Sequence, residues 1–234
     1  MDDAASPLGA ALELLISLDP ELLEIVALSL EVSGTAVLLA SIVGLPAGGL
    51  IALWRFRGRG VVVAFLNALM GLPPVVVGLV VYLMLSRAGP LGEWGILFTP
   101  TAMVVAQALL VLPIIAALSR QAVADLDEEY DELLESLGVG RTRAVATLLW
   151  DGRYRLLTAV LAGFGRAIAE VGAVIIVGGN IAHVTRVMTT TIALETSKGN
   201  LSLALGLGLI LVAIAVSVNG LALAVQTGAR RVEA

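Results

Sequence analysis

Long uncharged apolar runs decide what this chain can fold into. Residues 32–54, 60–86, 94–119 and 199–229 contain no charged side chain. Each run is at least as long as the roughly 20 residues that a helix needs to cross the hydrocarbon core of a bilayer. Within that core every backbone N–H and C=O must be paired by the protein itself, and a helix achieves this alone. The runs therefore predict an α-helical membrane protein.

The composition supports this prediction and excludes several kinds of site. The chain is 59% hydrophobic and 14% charged, with a mean hydropathy of +0.99, as expected of a protein with several membrane spans. It has no cysteine and a single histidine, His183, so one chain offers neither thiol chemistry nor a multi-histidine metal site. We expect no metal site and, for want of a soluble basic surface, no nucleic-acid partner.

Five membrane spans are predicted once a fifth run, interrupted by Arg166 and Glu170, is added to these four. The predicted spans are residues 31–54, 62–86, 98–119, 156–178 and 202–227. Residues 8–18 are apolar but too short to cross a bilayer, and they form either an interfacial helix or a loose lead-in. Asp19 followed by Pro20 is typical of a helix start. The predicted fold class is an all-α polytopic membrane protein.

A highly charged segment, residues 125–151, lies between the third and fourth predicted spans. Its first half is acidic on one side and apolar at helical spacing on the other. The apolar positions are Leu126, Tyr130, Leu133, Leu134 and Leu137. Asp125 and Glu128 have the spacing of a capping box, and Gly138 and Gly140 can end a helix. We predict a short helix outside the membrane followed by a second amphipathic stretch, either a loop that folds on itself or a docking element.

Basic residues predict the orientation in the membrane. If residues 125–151 are cytoplasmic, ten arginines lie inside, whereas Arg87, Arg186 and Lys198 lie outside. The ten are Arg55, Arg57, Arg59, Arg120, Arg141, Arg143, Arg153, Arg155, Arg230 and Arg231. This places the N-terminus outside and the C-terminus inside a cell membrane. The net charge of −5 and the excess of arginine over lysine would fit a salt-adapted or GC-rich source.

Two features interrupt the predicted spans at membrane depth. Pro73 and Pro74 remove consecutive backbone donors, so the break must be buried in protein or line a watery cavity, as a packing kink or as part of a gate. Arg166 and Glu170 are one helical turn apart. They form an internal ion pair that fixes helix packing, or they line a pathway for an anion. We favour the ion pair because Glu170 would cancel much of the field of Arg166.

The stretch from Gly178 to Asn200 is rich in polar residues and is predicted to be a loop. Asn180 and the threonines at 189–191 can contact a substrate at the outer mouth, but an exposed polar loop explains them equally well. His183 is predicted to be solvated rather than to bind a ligand.

Four segments resemble the permease subunits of molybdate and tungstate ABC importers, in the same order and at similar spacing. They are Val32–Ala36, Leu72–Gly78, Phe164–Ala173 and Gly178–Ile181. Together they cover nearly the whole chain from about residue 25. Residues 189–199 resemble the tungstate branch more than the molybdate branch.

The charged segment resembles the loop by which such permeases contact their ATPase. That loop has a glutamate, two alanines, a glycine six residues after the glutamate and an apolar residue ten further on. The matching positions are Glu132, Leu133, Leu134, Gly138 and Leu148. Leucines replace the alanines, and Trp150-Asp151 stands where the family has Leu-Pro, so the groove that receives this loop need not be the usual one.

The resemblance implies a homodimer that forms the translocation pathway, two cytoplasmic ATPase subunits that use ATP and Mg, and an extracytoplasmic oxyanion-binding protein. The implied substrate is a tetrahedral oxyanion, tungstate first and molybdate or another anion second. Candidate residues of the pathway or gate are Pro73, Pro74, Arg166, Glu170, Gly172 and Asn180. The chain has no Gly-x-x-x-x-Gly-Lys phosphate loop, so we expect it to bind no cofactor and to hydrolyse no ATP itself.

Two other classes of protein compete with this interpretation. A secondary transporter should show inverted repeats and carboxylates deep in several spans, whereas only Glu170 is deep and no repeat is visible. A membrane scaffold without transport activity would need neither the Pro-Pro break nor a docking loop.

Overall fold

The computed structural model describes residues 7–17 and 19–232, and in these ranges the chain forms ten α-helices and no β-strand. The helices are α1 (Pro7–Ile16), α2 (Pro20–Leu53), α3 (Arg59–Met70), α4 (Pro74–Leu85), α5 (Pro100–Ser136), α6 (Arg141–Asp151), α7 (Arg153–Ile168), α8 (Gly172–Gly178), α9 (Met188–Lys198) and α10 (Leu201–Val232). One turn of 3-10 helix, Gly92–Trp94, precedes α5. The predicted all-α class is confirmed.

Three helices, α2, α5 and α10, are each long and apolar enough to cross a membrane. Two further pairs pass the same test together but are bent, α3 with α4 by 97° and α7 with α8 by 59°. Within residues 7–17 and 19–232, length and composition therefore allow three to five spans, and the predicted number of five corresponds to counting each bent pair once. Both bent pairs fall where the sequence predicted an interrupted span.

The start of α2 follows from its first residues. The Asp19 carboxylate accepts hydrogen bonds from the backbone N–H groups of Glu21 (3.0 Å) and Leu22 (3.1 Å). Pro20 occupies the first helical position, where its missing N–H costs nothing. The predicted helix start is confirmed. Upstream, residues 7–16 form α1, so the lead-in is helical, while Leu18 lies outside the described residues.

Pro73 and Pro74 separate α3 from α4 because two adjacent residues without an N–H cannot continue the helical ladder. Single prolines have a smaller effect, since Pro46 and Pro113 lie inside α2 and α5 without ending them. The first predicted break is therefore confirmed.

By its internal contacts the chain divides into two units, of which the first consists of Met1–Thr35, Pro73–Gln107 and Ile168–Ser217. Here α4 crosses α8 closely: a Cβ placed on Gly78 would lie 2.7 Å from the Cα of Ala173. The hydroxyl of Ser29 on α2 accepts a hydrogen bond from the Met188 N–H at the start of α9 (2.8 Å). This bond satisfies a donor that the first turn of α9 cannot pair internally.

The second unit consists of Ala36–Leu72, Ala108–Ala167 and Val218–Ala234. One of its apolar clusters contains Val37, Ala40, Val111, Ile115 and Ala167. Another contains Ala52, Leu53, Val123, Leu126, Ala144, Val145 and Leu148. Between α2 and α5, Gly44 and Gly48 form a Gly-x-x-x-Gly pair, which lets two helix backbones approach closely. The Ser119 hydroxyl donates to the Leu45 carbonyl at this crossing (2.8 Å).

Candidate functional site

The charged segment begins differently from the prediction. Helix α5 runs without interruption from Pro100 to Ser136, so its acidic end is an extension of the helix that holds the third predicted span. Asp125 is inside this helix and does not start one, and the predicted capping box with Glu128 is wrong. The physical reason is that residues 120–124 contain no glycine or proline and favour continuation of the helix.

The glycine turn after α5 is confirmed. Gly138 has φ +64°, the left-handed conformation that glycine adopts at little cost. The N–H groups of Gly138 and Val139 donate to the carbonyls of Glu135 and Leu134, both at 3.0 Å, which is the Schellman pattern of helix ends. Gly140 has a different role from the predicted one: with φ −66° and ψ 145° it precedes the first residue of α6, in a conformation open to any residue.

The apolar side of this segment divides into a packed half and an exposed half. Leu126 and Leu148 are buried, and the partly buried Leu134 packs against the same cluster. Leu133 and Leu137 point away from the protein and are 54% and 67% exposed. Glu132 is exposed next to them. Large exposed leucines on an otherwise acidic helix are typical of a surface that a partner covers.

The second candidate region lies in the first unit, where α4 and α8 begin. Gly172 is the first residue of α8, and a Cβ there would lie 2.9 Å from Cγ2 of Val75, next to Pro74. Glu170 is buried, and its carboxylate accepts a hydrogen bond from the Ala173 N–H (3.1 Å). The structure thus brings the Pro73-Pro74 break together with Glu170 and Gly172.

Arg166 belongs to the last turn of α7, which ends at Ile168. The predicted helical register therefore does not extend to Glu170, because the backbone leaves the helix between the two residues. The choice between an ion pair and an anion pathway stays a prediction.

The predicted polar loop is in fact built around buried threonines. Thr185, Thr189, Thr190 and Thr191 are all buried, and residues 188–198 form α9. Their hydroxyls donate to backbone carbonyls, including Thr189 to Glu170 (2.8 Å) and Thr191 to Val187 (2.7 Å). Because a hydroxyl that is hydrogen-bonded is cheap to bury, the interpretation as an exposed loop is wrong for these residues.

Asn180 and His183 are also held by specific partners. The side-chain carbonyl of Asn180 accepts a hydrogen bond from the Thr190 hydroxyl (3.0 Å), and its amide donates to the Thr190 carbonyl (3.3 Å). His183 is largely exposed, yet its Nδ1 lies 2.8 Å from a carboxylate oxygen of Glu24. The exposure of His183 agrees with the prediction that it is solvated, and the Glu24 carboxylate is a surface partner that the sequence did not predict.

The sequence matches a known protein family over most of its length. Residues 44–231 match the family described as binding-protein-dependent transport system inner membrane component. The chain belongs to this family. It is a transport subunit rather than an enzyme, and the family decides against the secondary-transporter and scaffold interpretations.

Three relatives illustrate the range of similarity. The tungstate uptake system permease protein TupB of Peptoclostridium acidaminophilum is 42% identical over 200 residues, which cover 86% of this chain and 88% of the relative. A protein of Haloferax volcanii described as a probable anion ABC transporter permease protein is 43% identical over 185 residues, covering 77% and 80%. The molybdenum transport system permease protein ModB of Escherichia coli is 30% identical over 186 residues, covering 76% and 81%.

Sequence reasoning missed one buried carboxylate of the permease. Glu195 at the end of α9 is hydrogen-bonded by the Lys198 ammonium (2.8 Å) and by the Asn200 amide (2.9 Å). These two hydrogen bonds hold the pKa of Glu195 below its ordinary value, and the one from Lys198 has the larger effect. The Glu-x-x-Lys-Gly-Asn pattern, which joins a last helical turn to a glycine with φ +80°, was the available signal.

Glu195→Gln should therefore lower the stability of the permease in a pH-dependent manner. A depressed pKa contributes stability that is present above the ordinary pKa of about 4.3 and is lost as the pH falls through the folded-state pKa. At about pH 7 we expect a loss on the order of 1 kcal/mol, and below about pH 4 the difference should shrink. Thermal unfolding in detergent measures both. Glu93→Gln, at an exposed position, is the control, and an equal loss at both pH values would contradict this role.

Proposed function

We propose that the permease is the membrane subunit of a tungstate importer, with molybdate or another tetrahedral oxyanion as the alternative substrate. The observation that carries this proposal is the difference in similarity, 42% identity to the tungstate relative against 30% to the molybdenum relative. The pattern of residues 189–199 favours the same branch.

The proposed assembly contains two copies of the permease, two ATPase subunits and a separate oxyanion-binding protein. ATP and Mg belong to the ATPase. An energy source is needed because moving one charge against an inside-negative potential costs about 2.3 kcal/mol per 100 mV, and a dianion costs about twice that. The family, which is that of binding-protein-dependent transport, supports the binding protein and the separate ATPase.

The surface proposed for the ATPase is formed by Glu132 and Leu133 on the extension of α5 and by Leu137 directly after it. It projects from a base that is packed through Leu126 and Leu148. Because the base is packed, a partner that moves the exposed residues would move the whole segment with them. We propose that this segment is cytoplasmic, with the N-terminus outside and the C-terminus inside. The orientation was predicted from the distribution of basic residues, which includes Arg230 and Arg231. The side chains of these two residues lie outside the described residues.

The proposed gate is the region where α4 and α8 begin, with Pro73, Pro74, Glu170 and Gly172. Broken helices are a common way to build a transport site in a membrane. Closure of the ATPases would move the α5 extension of each permease and switch the dimer between outward and inward openings. In this proposal Arg166 and Asn180 remain candidate residues of the translocation pathway.

Uptake by a reconstituted complex tests this function. The permease is purified with its ATPase, inserted in liposomes and supplied with the binding protein. Tungstate, molybdate and sulfate are offered at equal concentration, and the internal metal or sulfur is measured by mass spectrometry. We expect ATP-dependent uptake in which tungstate exceeds molybdate. Preferential molybdate uptake would establish the alternative substrate, and ATP-independent uptake would contradict the proposal.

A further inference from the structure

The end of α2 is held by two arginines from other helices. The Arg59 guanidinium donates to the carbonyls of Ile51 (2.9 Å) and Ala52 (2.7 Å). Arg141 donates to the Leu53 carbonyl (2.9 Å). A helix leaves its last four carbonyls without internal partners, and the fourth here, that of Leu50, accepts from the Trp54 N–H (3.0 Å). We name Arg59, Arg141 and the three carbonyls that they bind the arginine latch.

The position of Arg141 calls for an explanation beyond helix formation. It is the first residue of α6, where the helix dipole disfavours a cation, and the first turn of α6 contains no acid. The guanidinium instead reaches the C-terminal end of α2, where the dipole favours positive charge. The unfavourable position of the Arg141 charge at the start of α6 is thus offset by its favourable position at the end of α2. This is expected of a residue whose role is to connect the two helices.

A fourth helix takes part through Asp127 on α5. Its carboxylate interacts electrostatically with the like-charged Asp131 and with Arg141, Arg55 and Arg59. Asp127, Arg55 and Arg141 border a cleft of about 190 Å³ that is also lined by Asp131 and Glu135. The end of α2 is thus bonded to the starts of α3 and α6, and Asp127 of α5 lies at the same cleft as Arg141.

The connection matters because only Leu137–Gly140 joins α5 to α6. The N–H groups of Gly138 and Val139 bind carbonyls in the last turn of α5, so this short turn is fixed to α5. A displacement of α5 therefore carries the start of α6 with it. Through the latch, that displacement reaches the Leu53 carbonyl directly, at a separation of 88 residues along the chain.

We propose that Arg141 is the positioning residue that transmits movement of the 125–151 segment to α2. The inference rests on the proposed function, since it assumes that an ATPase moves this segment. Arg141 connects α6 to the end of α2 by a charge-assisted hydrogen bond to the Leu53 carbonyl, so that a movement of α6 displaces the end of α2. Without it, ATP would still be hydrolysed, but less of the movement would reach α2.

The first test measures ATP hydrolysed per anion taken up by the reconstituted complex. Arg141→Gln should raise this ratio about tenfold, the factor that corresponds to losing one hydrogen bond from a charged donor. Arg143→Gln removes the same charge from the same helix, and the structure describes no side-chain hydrogen bond of Arg143. It should leave the ratio unchanged. A residue that only stabilises the fold would lower the yield of complex without changing the ratio.

The second test needs no substrate. The chain has no cysteine, so Trp54→Cys and Thr147→Cys, both at exposed positions, place one spin label beyond α2 and one on α6. Labelled permease is diluted with unlabelled permease so that each complex contains one labelled copy. The distance between the labels should stay the same when ATP binds to the complex, and it should change on ATP binding in the Arg141→Gln background.

Each outcome decides the proposal. Identical ratios and identical distances in Arg141→Gln and Arg143→Gln would overturn it. If Arg141→Gln does not assemble with the ATPase, Arg141→Lys and Arg143→Lys give the same comparison, with about twofold expected for the former because an ammonium replaces a fixed fork of donors. If the unmodified permease takes up none of the offered oxyanions, the proposed function fails and the label distances alone decide the latch.

Discussion

Replacing Gly48 by alanine is expected to destabilise the permease by about 3 kcal/mol, and replacing it by leucine to abolish accumulation of folded protein. The site has no room for a side chain. A Cβ would overlap the Ala116 carbonyl oxygen and would lie 2.7 Å from the Ser119 Cβ and 2.8 Å from the Arg120 nitrogen. Because two of these atoms belong to the α5 backbone, α2 and α5 would have to separate. The Ser119–Leu45 hydrogen bond would lengthen with them.

Thermal unfolding in detergent and the yield of monodisperse permease measure this effect. Gly34→Ala is the matched control, since Gly34 lies on the same helix and a Cβ there would meet no atom within 4 Å. It removes the same backbone freedom without a clash, so it should be neutral or slightly stabilising. If both variants were equally stable, the close crossing of α2 and α5 would be refuted.

The long apolar helices were predictable because they depend on a property that is local in sequence. The length of an uncharged run is enough to decide whether it can cross a bilayer. In the same way, Pro73-Pro74 breaks a helix whatever residues surround it. The close crossing at Gly44 and Gly48 was not predicted. A Gly-x-x-x-Gly spacing indicates a close crossing without indicating which helix is crossed.

The errors have a common physical origin, since the same residue types serve two purposes. Asp125 and Glu128 have the spacing of a capping box, but acidic residues also occupy the exposed face of a helix that simply continues. The threonines at 189–191 are as polar as residues of an exposed loop. Whether a hydroxyl is paired by water or by a carbonyl from elsewhere in the chain, as Thr189 is by Glu170, is decided by the tertiary structure.

The candidate sites show the same limit. Gly138 was predictable from a glycine placed after an amphipathic helix, and its left-handed conformation agrees. The division of the leucines into packed and exposed positions was not predictable, because one helical face can be shared between the protein and a partner. The arginine latch joins residues 88 positions apart, and nothing in the local sequence of Arg141 indicates Leu53.

Gly138→Val should uncouple ATP hydrolysis from uptake, lowering transport about tenfold while the chain still inserts in the membrane. A left-handed conformation costs an L-residue about 1–2 kcal/mol, and a β-branched side chain more, which corresponds to a factor of about 10 in the population of the native turn. A Cβ at Gly138 would meet no atom within 4 Å, so the effect comes from the backbone and not from a clash. The turn would open and change the angle between the exposed leucines of α5 and the start of α6.

Gly140→Val provides the control for this prediction. It lies two residues away, and a Cβ there also meets no atom within 4 Å, but its φ of −66° suits valine. The two variants add the same side chain to the same short turn and differ only in backbone conformation. Uptake of tungstate and ATP hydrolysis are measured in parallel on the reconstituted complex. If Gly138→Val transported as well as Gly140→Val, the turn would not set the coupling geometry, and the docking role of residues 125–151 would have to be given up.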